Sequence, residues 1–154
     1  MGWHITMPQS LPNILVHVIF STKERRPLIE DGVGAGLHGY MAGILKELEA
    51  PALIINSAPD HVHVLCAMSK NLAACKLVEE VKKSSSKWIK TQGVPAFAWQ
   101  NGYGVFSVSQ SGADSVRRYI ENQQVHHRKL DFQEEFRRFL EKYRVQYDER
   151  YVWD

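Results

Sequence analysis

Ala52-Leu-Ile-Ile-Asn-Ser-Ala-Pro-Asp-His-Val-His-Val-Leu-Cys-Ala67 holds two short extended runs, residues 52–56 and 61–67. Between them Ser57-Ala-Pro-Asp60 supplies a proline and an aspartate that favour a turn, so the stretch predicts a β-hairpin. Side chains alternate across a strand. His61 and His63 therefore share one face, and Val62 and Val64 enter the opposite layer.

Upstream, Asn13-Ile-Leu-Val-His-Val-Ile-Phe20 is β-branched and apolar, bounded by Pro12 and by the charged Lys23-Glu-Arg-Arg-Pro27. It predicts a buried strand. From Val33 the apolar residues Leu37, Tyr40, Met41, Ile44, Leu45 and Leu48 recur at three- and four-residue spacing, which predicts a helix of roughly four turns. Its glycines Gly34, Gly36, Gly39 and Gly43 are poor helix formers and point to close packing against another backbone.

Downstream, Asn71 is the expected N-cap of a helix running to Thr91, stopped by Gly93 and Pro95. Ala74, Leu77, Val78, Val81 and Trp88 fall on one side of its wheel, and Lys76, Lys83, Lys87 and Lys90 on the other. Val105-Phe-Ser-Val-Ser109 predicts a last strand. Ser111 or Asp114 would cap a third helix that carries Tyr119 and ends near His126 and His127, and a fourth spans residues 132–143. Strand, helix, strand, strand, helix, strand, then two helices is the order of an α+β, ferredoxin-like βαββαβ antiparallel sheet with C-terminal helices added.

At 154 residues and 44% hydrophobic, the chain is read as one domain with a proper core. A net charge of +2, from 19 basic and 17 acidic residues, is too mild to diagnose nucleic-acid binding, so any basic footprint must be local. Cys66 and Cys75 make no disulfide framework, and Cys66 lies in an apolar run that suits a reduced, packed thiol. No stretch reaches the ~18 to 20 apolar residues that span a bilayer, and the opening residues lack the layout of a signal peptide. A soluble, cytoplasmic protein without a membrane partner is expected. Met7 precedes the first patterned segment, so residues 1–6, native or an appended tail, carry no functional weight.

Histidines two apart on a strand can reach one cation together, although two of seven histidines also fall two apart by chance. Asp60 either orients one ring or closes the turn. Tyr119 and Gln123, four residues apart on the expected third helix, stack on one face with Asn122 and His126 beside them. A phenol is a feasible covalent nucleophile, and an amide oxygen can join two imidazoles around a divalent ion. Packing alone also accounts for a tyrosine at that spacing. Lys83, Lys87 and Lys90 on the second helix, Lys23, Arg25 and Arg26 after the first strand, and His126 and Arg128 at the end of the third helix are candidate phosphate contacts. Taken alone, each group reads first as an ordinary solvated face or helix end. Trp99, Tyr103 and Phe106 either stack on unpaired bases or fill the core. His17 is read as a core residue, with a place beside the site as the alternative.

Pro59-Asp-His-Val-His-Val-Leu65, Trp99-Gln-Asn-Gly-Tyr-Gly-Val-Phe-Ser-Val-Ser109, Tyr119-Ile-Glu-Asn-Gln123 followed by His126 and His127, and Tyr147-Asp-Glu-Arg-Tyr-Val-Trp153 occur in that order. Together they resemble the single-tyrosine transposases of the histidine-hydrophobe-histidine superfamily, the IS200-like kind, over nearly the whole chain. The resemblance implies that Tyr119 attacks single-stranded DNA, leaving a 5′-phosphotyrosyl link and a free 3′-hydroxyl, with His61, His63 and Gln123 around Mg²⁺ or Mn²⁺. It further implies recognition of DNA hairpins and a homodimer in which the tyrosine helix can serve the partner's histidines in trans. Two readings stay beside it: a ferredoxin-like single-strand-binding domain without catalysis, and a metal-dependent nuclease that uses water in place of Tyr119.

Overall fold

A computed structural model describes residues 8–154, so the expectation about residues 1–6 lies outside the described residues. Its four strands are β1 (Leu15–Ser21), β2 (Ala52–Ala58), β3 (His61–Ala67) and β4 (Gly104–Val108). They form one antiparallel sheet in the order β2-β3-β1-β4, the ferredoxin-like arrangement the sequence predicts. The hairpin is tighter than expected, because β2 runs on through Ser57 and Ala58 and only Pro59 and Asp60 turn. An extra residue at Leu53 shifts the β2–β3 register between Ala52 and Ile54.

Helices α1 (Asp31–Glu47) and α2 (Ala74–Thr91) pack on one sheet face. There Val16, Val18 and Phe20 of β1 meet Val62, Val64 and Cys66 of β3, with Leu37, Met41, Leu45, Leu77, Val78 and Val81 above them. Burial pushes the Cys66 thiol up to about 12, as a packed, reduced cysteine requires. The glycines of α1 do not meet another backbone as expected: a Cβ on Gly36 would come within 2.9 Å of the Trp88 ring, which stacks on Tyr40. One on Gly34 would lie 3.7 Å from the Ser57 hydroxyl, and Gly39 and Gly43 face no described atom within 4 Å. Asn71 is not the cap of α2. The helix starts after Ala73, because Leu72 is first drawn onto the core, and the Asn71 amide donates instead to Ser69.

The second sheet face is covered by α3 (Ala113–Glu121), α4 (Gln123–Lys129) and α5 (Phe132–Lys142). Leu15 and Leu65 pack with Ala113 and Ile120, while Ile19 and Phe106 pack with Phe132, Phe136 and Leu140. Every residue of β1 is consequently buried, from both sides. Neither Ser111 nor Asp114 caps α3. Ser109 accepts from the Gly112 amide in a short 3-10 turn that leads into the helix, which places the capping oxygen one turn earlier. No described helix is long and apolar enough to cross a membrane.

At Gly104 the Phe136 ring of α5 lies tight against the sheet. A Cβ there would sit 2.5 Å from Phe136 and 2.9 Å from Phe106, both ring atoms inside the core. Gly104→Ala should destabilise the fold by about 1–3 kcal/mol through overpacking. The check is the urea or thermal midpoint; an unchanged midpoint would mean that α5 does not seat on β4 as described.

Candidate active site

Alternation along β3 turns His61 and His63 toward α3, α4 and α5, where they are 1% and 0% exposed. In the register, His63 faces Ile19 on β1 and Asn56 on β2. The two roles considered for Asp60 coexist. It stands in the turn, its carbonyl accepting from the Thr22 amide beyond β1 at 2.8 Å, while its carboxylate lies 2.6 Å from His61 Nδ1 and fixes that ring. His17 is buried, as expected of a core residue, yet it also touches the site: its Nε2 is 2.8 Å from His63 Nδ1.

Tyr119 and Gln123 do not share one helix. The chain breaks at Asn122, so Tyr119 belongs to α3 and Gln123 opens α4. The Asn56 side chain on β2 explains the break by donating to the carbonyls of Ile120 (2.9 Å) and Glu121 (3.1 Å), the last residues of α3. The two side chains still converge. Gln123 is fully buried with its Nε2 2.8 Å from His61 Nε2, and His126 lies flat on the Tyr119 ring at 4.3 Å.

The residue that sequence reasoning missed is Glu135 on α5, 2% exposed. Its Oε1 is 2.9 Å from His63 Nε2 and 3.1 Å from His61 Nε2, and its Oε2 accepts from the Tyr119 hydroxyl. Gln123 Nε2 reaches both carboxylate oxygens, at 3.3 and 3.2 Å. A signal was present: Glu135 stands three residues after Phe132 and four before Phe139, a lone acid on an apolar stripe.

Contacts outweigh burial at Glu135 and His61, whereas burial prevails at His63, His17 and Tyr119. Burial alone would raise the Glu135 carboxyl, but hydrogen bonds and charge from His61 and His63 hold it well below the usual carboxylate range. Burial works to lower His61 as well, and its bonds to Asp60 and Glu135 lift it above its ordinary value. His63 and His17 both end low, chiefly through burial. Burial, the adjacent Glu135 charge and the bond to it push the Tyr119 phenol up, so its proton is held firmly.

A divalent cation fits this donor set. His61 Nε2 faces a carboxylate oxygen at 3.1 Å and an amide nitrogen at 2.8 Å, and one atom cannot both donate to the first and accept from the second. Gln123 Oε1 is buried with no hydrogen-bond partner among the described residues. A cation among these atoms would relieve both mismatches: each imidazole would turn a lone pair to it, and a half-turn of the amide would present the oxygen. His61, His63 and Glu135 offer ligand atoms within 4.8 Å of one another, as do Asp60, His61 and His127.

The basic candidates divide. His126 stacks on Tyr119, and Arg128 is exposed at the end of α4. Lys23, Arg25 and Arg26 follow β1 near the Asp60 turn, with Arg26 paired to Glu24 and Arg25 over the Trp153 ring. Lys83, Lys87 and Lys90 are exposed on α2, across the sheet from the histidines, so they do not join the cluster. Trp99 and Phe106 are buried and cannot stack on bases; Tyr103 remains partly exposed. A cavity of about 610 Å³ opens beside Tyr119, and Lys129, Arg138, Phe139, Lys142 and Tyr143 help to line it. A groove of about 380 Å³ along α2 is lined in part by Lys83, Lys90 and Tyr103.

A family model described as "Transposase IS200 like" matches residues 10–123. The ISDra2 transposase TnpA of Deinococcus radiodurans is 24% identical over 114 residues, spanning 70% of this chain and 81% of the relative. Among solved structures, a Deinococcus radiodurans protein described as a transposase superposes with a TM-score of 0.61 at 23% identity, over 77% of this chain and 97% of that one. A REP-associated tyrosine transposase bound to a REP hairpin gives 0.58 at 12% identity, over 81% and 74%. At these identities the structural likeness establishes the fold.

If the Asp60 carboxylate orients His61 for a cation, Asp60→Ala should weaken Mn²⁺ binding roughly 10–100-fold. Titration calorimetry reads this directly, and unaltered affinity would leave Asp60 with its turn role alone.

Proposed function

Because this chain belongs to the IS200-like transposase family, we propose that it cuts and rejoins single-stranded DNA at hairpin-marked ends, with Tyr119 as the covalent nucleophile. The observation that carries this reading is convergence: His61 and His63 from a strand, and Tyr119 and Gln123 from two helices, meet in one cluster of a single chain. A hairpin substrate is supported by the tyrosine transposase whose fold this chain shares, which is bound to one. The whole chain is taken as one transposase domain acting on DNA.

The Tyr119 oxygen attacks the phosphorus of a phosphodiester, forming an O–P bond as the bond from phosphorus to the 3′ oxygen breaks. The phenol gives up its proton and the departing 3′ oxygen gains one. The products are a 5′-phosphotyrosyl link and a free 3′-hydroxyl, and attack by a different 3′-hydroxyl reverses the chemistry to join new strands. His61, His63 and Gln123 would hold Mg²⁺ or Mn²⁺. Such an ion, when bound, would offset charge on a phosphate oxygen and counter the anionic field of Glu135 that keeps the phenol protonated. Histidine ligands suit Mn²⁺ better than Mg²⁺.

Asp60 accepts from His61 Nδ1 and so fixes that tautomer, while His17 Nε2 meets His63 Nδ1 and fixes the orientation of the second ring. The cavity beside Tyr119 is bordered by Lys129, Arg138 and Lys142, which suits a backbone leading to the nucleophile. The α2 groove, with Lys83, Lys90 and Tyr103, is distant enough to serve a stem or flanking strand.

Incubating the protein with Mn²⁺ and a single-stranded hairpin oligonucleotide should give a denaturation-resistant protein–DNA adduct that Tyr119→Phe abolishes. Cleavage without an adduct, equal in both proteins, would indicate hydrolysis by water; binding with no cleavage by wild type would indicate a binding module. Mixing Tyr119→Phe with His63→Ala tests the arrangement between subunits. The mixture should stay inactive if each chain uses its own tyrosine, whereas recovered cleavage would establish a dimer that exchanges it.

A further inference from the structure

Glu135 enters the cluster from α5, beyond the segment the family model matches, which ends at residue 123. Nothing in the histidine and tyrosine motifs requires a carboxylate there. A buried glutamate costs stability unless it is paired or binds a cation, and this one is placed where four functional groups meet.

We propose that Glu135 is a further protein ligand of the active-site cation, so that this chain binds its ion through two imidazoles, one amide and one carboxylate, with the same carboxylate tying the nucleophile to the ion. This rests on the metal reading of the site given above.

Spacing supports it. Octahedral ligands about 2.1 Å from an ion lie about 3 Å from their neighbours. Glu135 Oε1 is 2.9 Å from His63 Nε2 and 3.1 Å from His61 Nε2, the distances expected for neighbouring ligand atoms around one ion. The carboxylate divides its work between its two oxygens: Oε1 faces the imidazoles, and Oε2 faces the Tyr119 hydroxyl.

Charge supports it as well. Neutral His61, His63 and Gln123 bring no formal charge to a dication, and Glu135 supplies one negative charge from a hard oxygen donor, the type that Mn²⁺ and Mg²⁺ favour. Around the cluster, Lys129, Arg138 and Lys142 line the neighbouring cavity, and among the described residues Glu135 is its one acidic lining residue. The position of α5 is set by Phe132, Phe136 and Leu140 against Ile19 and Phe106. The carboxylate is therefore delivered by a packed helix, with little freedom to withdraw.

The test is Mn²⁺ binding to the full chain without DNA, by titration calorimetry and by the electron paramagnetic resonance of the ion. Glu135→Gln keeps the side-chain volume and should weaken binding roughly 10–100-fold, while Lys46→Ala, exposed on α1 across the sheet, leaves it unchanged. Wild-type affinity in Glu135→Gln, alongside loss of binding in His63→Ala, overturns the role of Glu135 and leaves the metal reading standing. No Mn²⁺ uptake by wild type overturns both. Crystals of wild type grown with Mn²⁺ decide the matter whatever the variants do. A Glu135 oxygen at about 2.2 Å from the anomalous peak supports the assignment; an ion on His61, His63 and Gln123 with Glu135 out of bonding range refutes it.

Discussion

The second face of the sheet is the constraint on which the site depends. A four-stranded ferredoxin-like sheet needs only two helices to cover one side, and the chain spends α3, α4 and α5 on the other. That cover removes two imidazoles and a carboxylate from water, where polar groups must be paired or bind an ion. The pairing seen here, with Asp60 and His17 behind the imidazoles and Glu135 in front, follows from that burial. Were the face open, the same histidines would be ordinary surface residues.

The two layers of β3 show how one strand serves two purposes. Val62, Val64 and Cys66 belong to the main core with α1 and α2, and His61 and His63 face the chemistry. A register slip of one residue would exchange them, putting valines at the site and imidazoles in the core. The seven-residue pairing of β3 with β1 guards against that, and so links fold stability to the geometry of the site.

Much of this was legible in the sequence, for reasons that can be named. The alternation in His61-Val-His-Val64 fixes which side chains share a face, and the three- and four-residue spacings of α1, α2 and α5 mark their buried stripes. The strand order follows from the element order. What escaped depends on contacts between distant segments. Asn56 lies far along the chain from the end of α3, yet its side chain splits the expected third helix at Asn122. Asn71 has the chemistry of a helix cap, but the pull of Leu72 toward the core delays the helix. Trp99 and Phe106 look suited to stacking on bases, and the core takes both. Glu135 was passed over because a single acid among phenylalanines resembles the solvated side of an amphipathic helix until α5 is docked.

The split between α3 and α4 also has a mechanical meaning. A strand of DNA joined to Tyr119 would pull on α3, whose last carbonyls are clasped to the edge strand β2 by Asn56, so tension would run into the sheet margin. Gln123 begins a separate segment, anchored by His61 and Glu135. A continuous rod would transmit that load straight to the amide. Under the proposed reaction, two short segments joined at Asn122 would keep that load off Gln123.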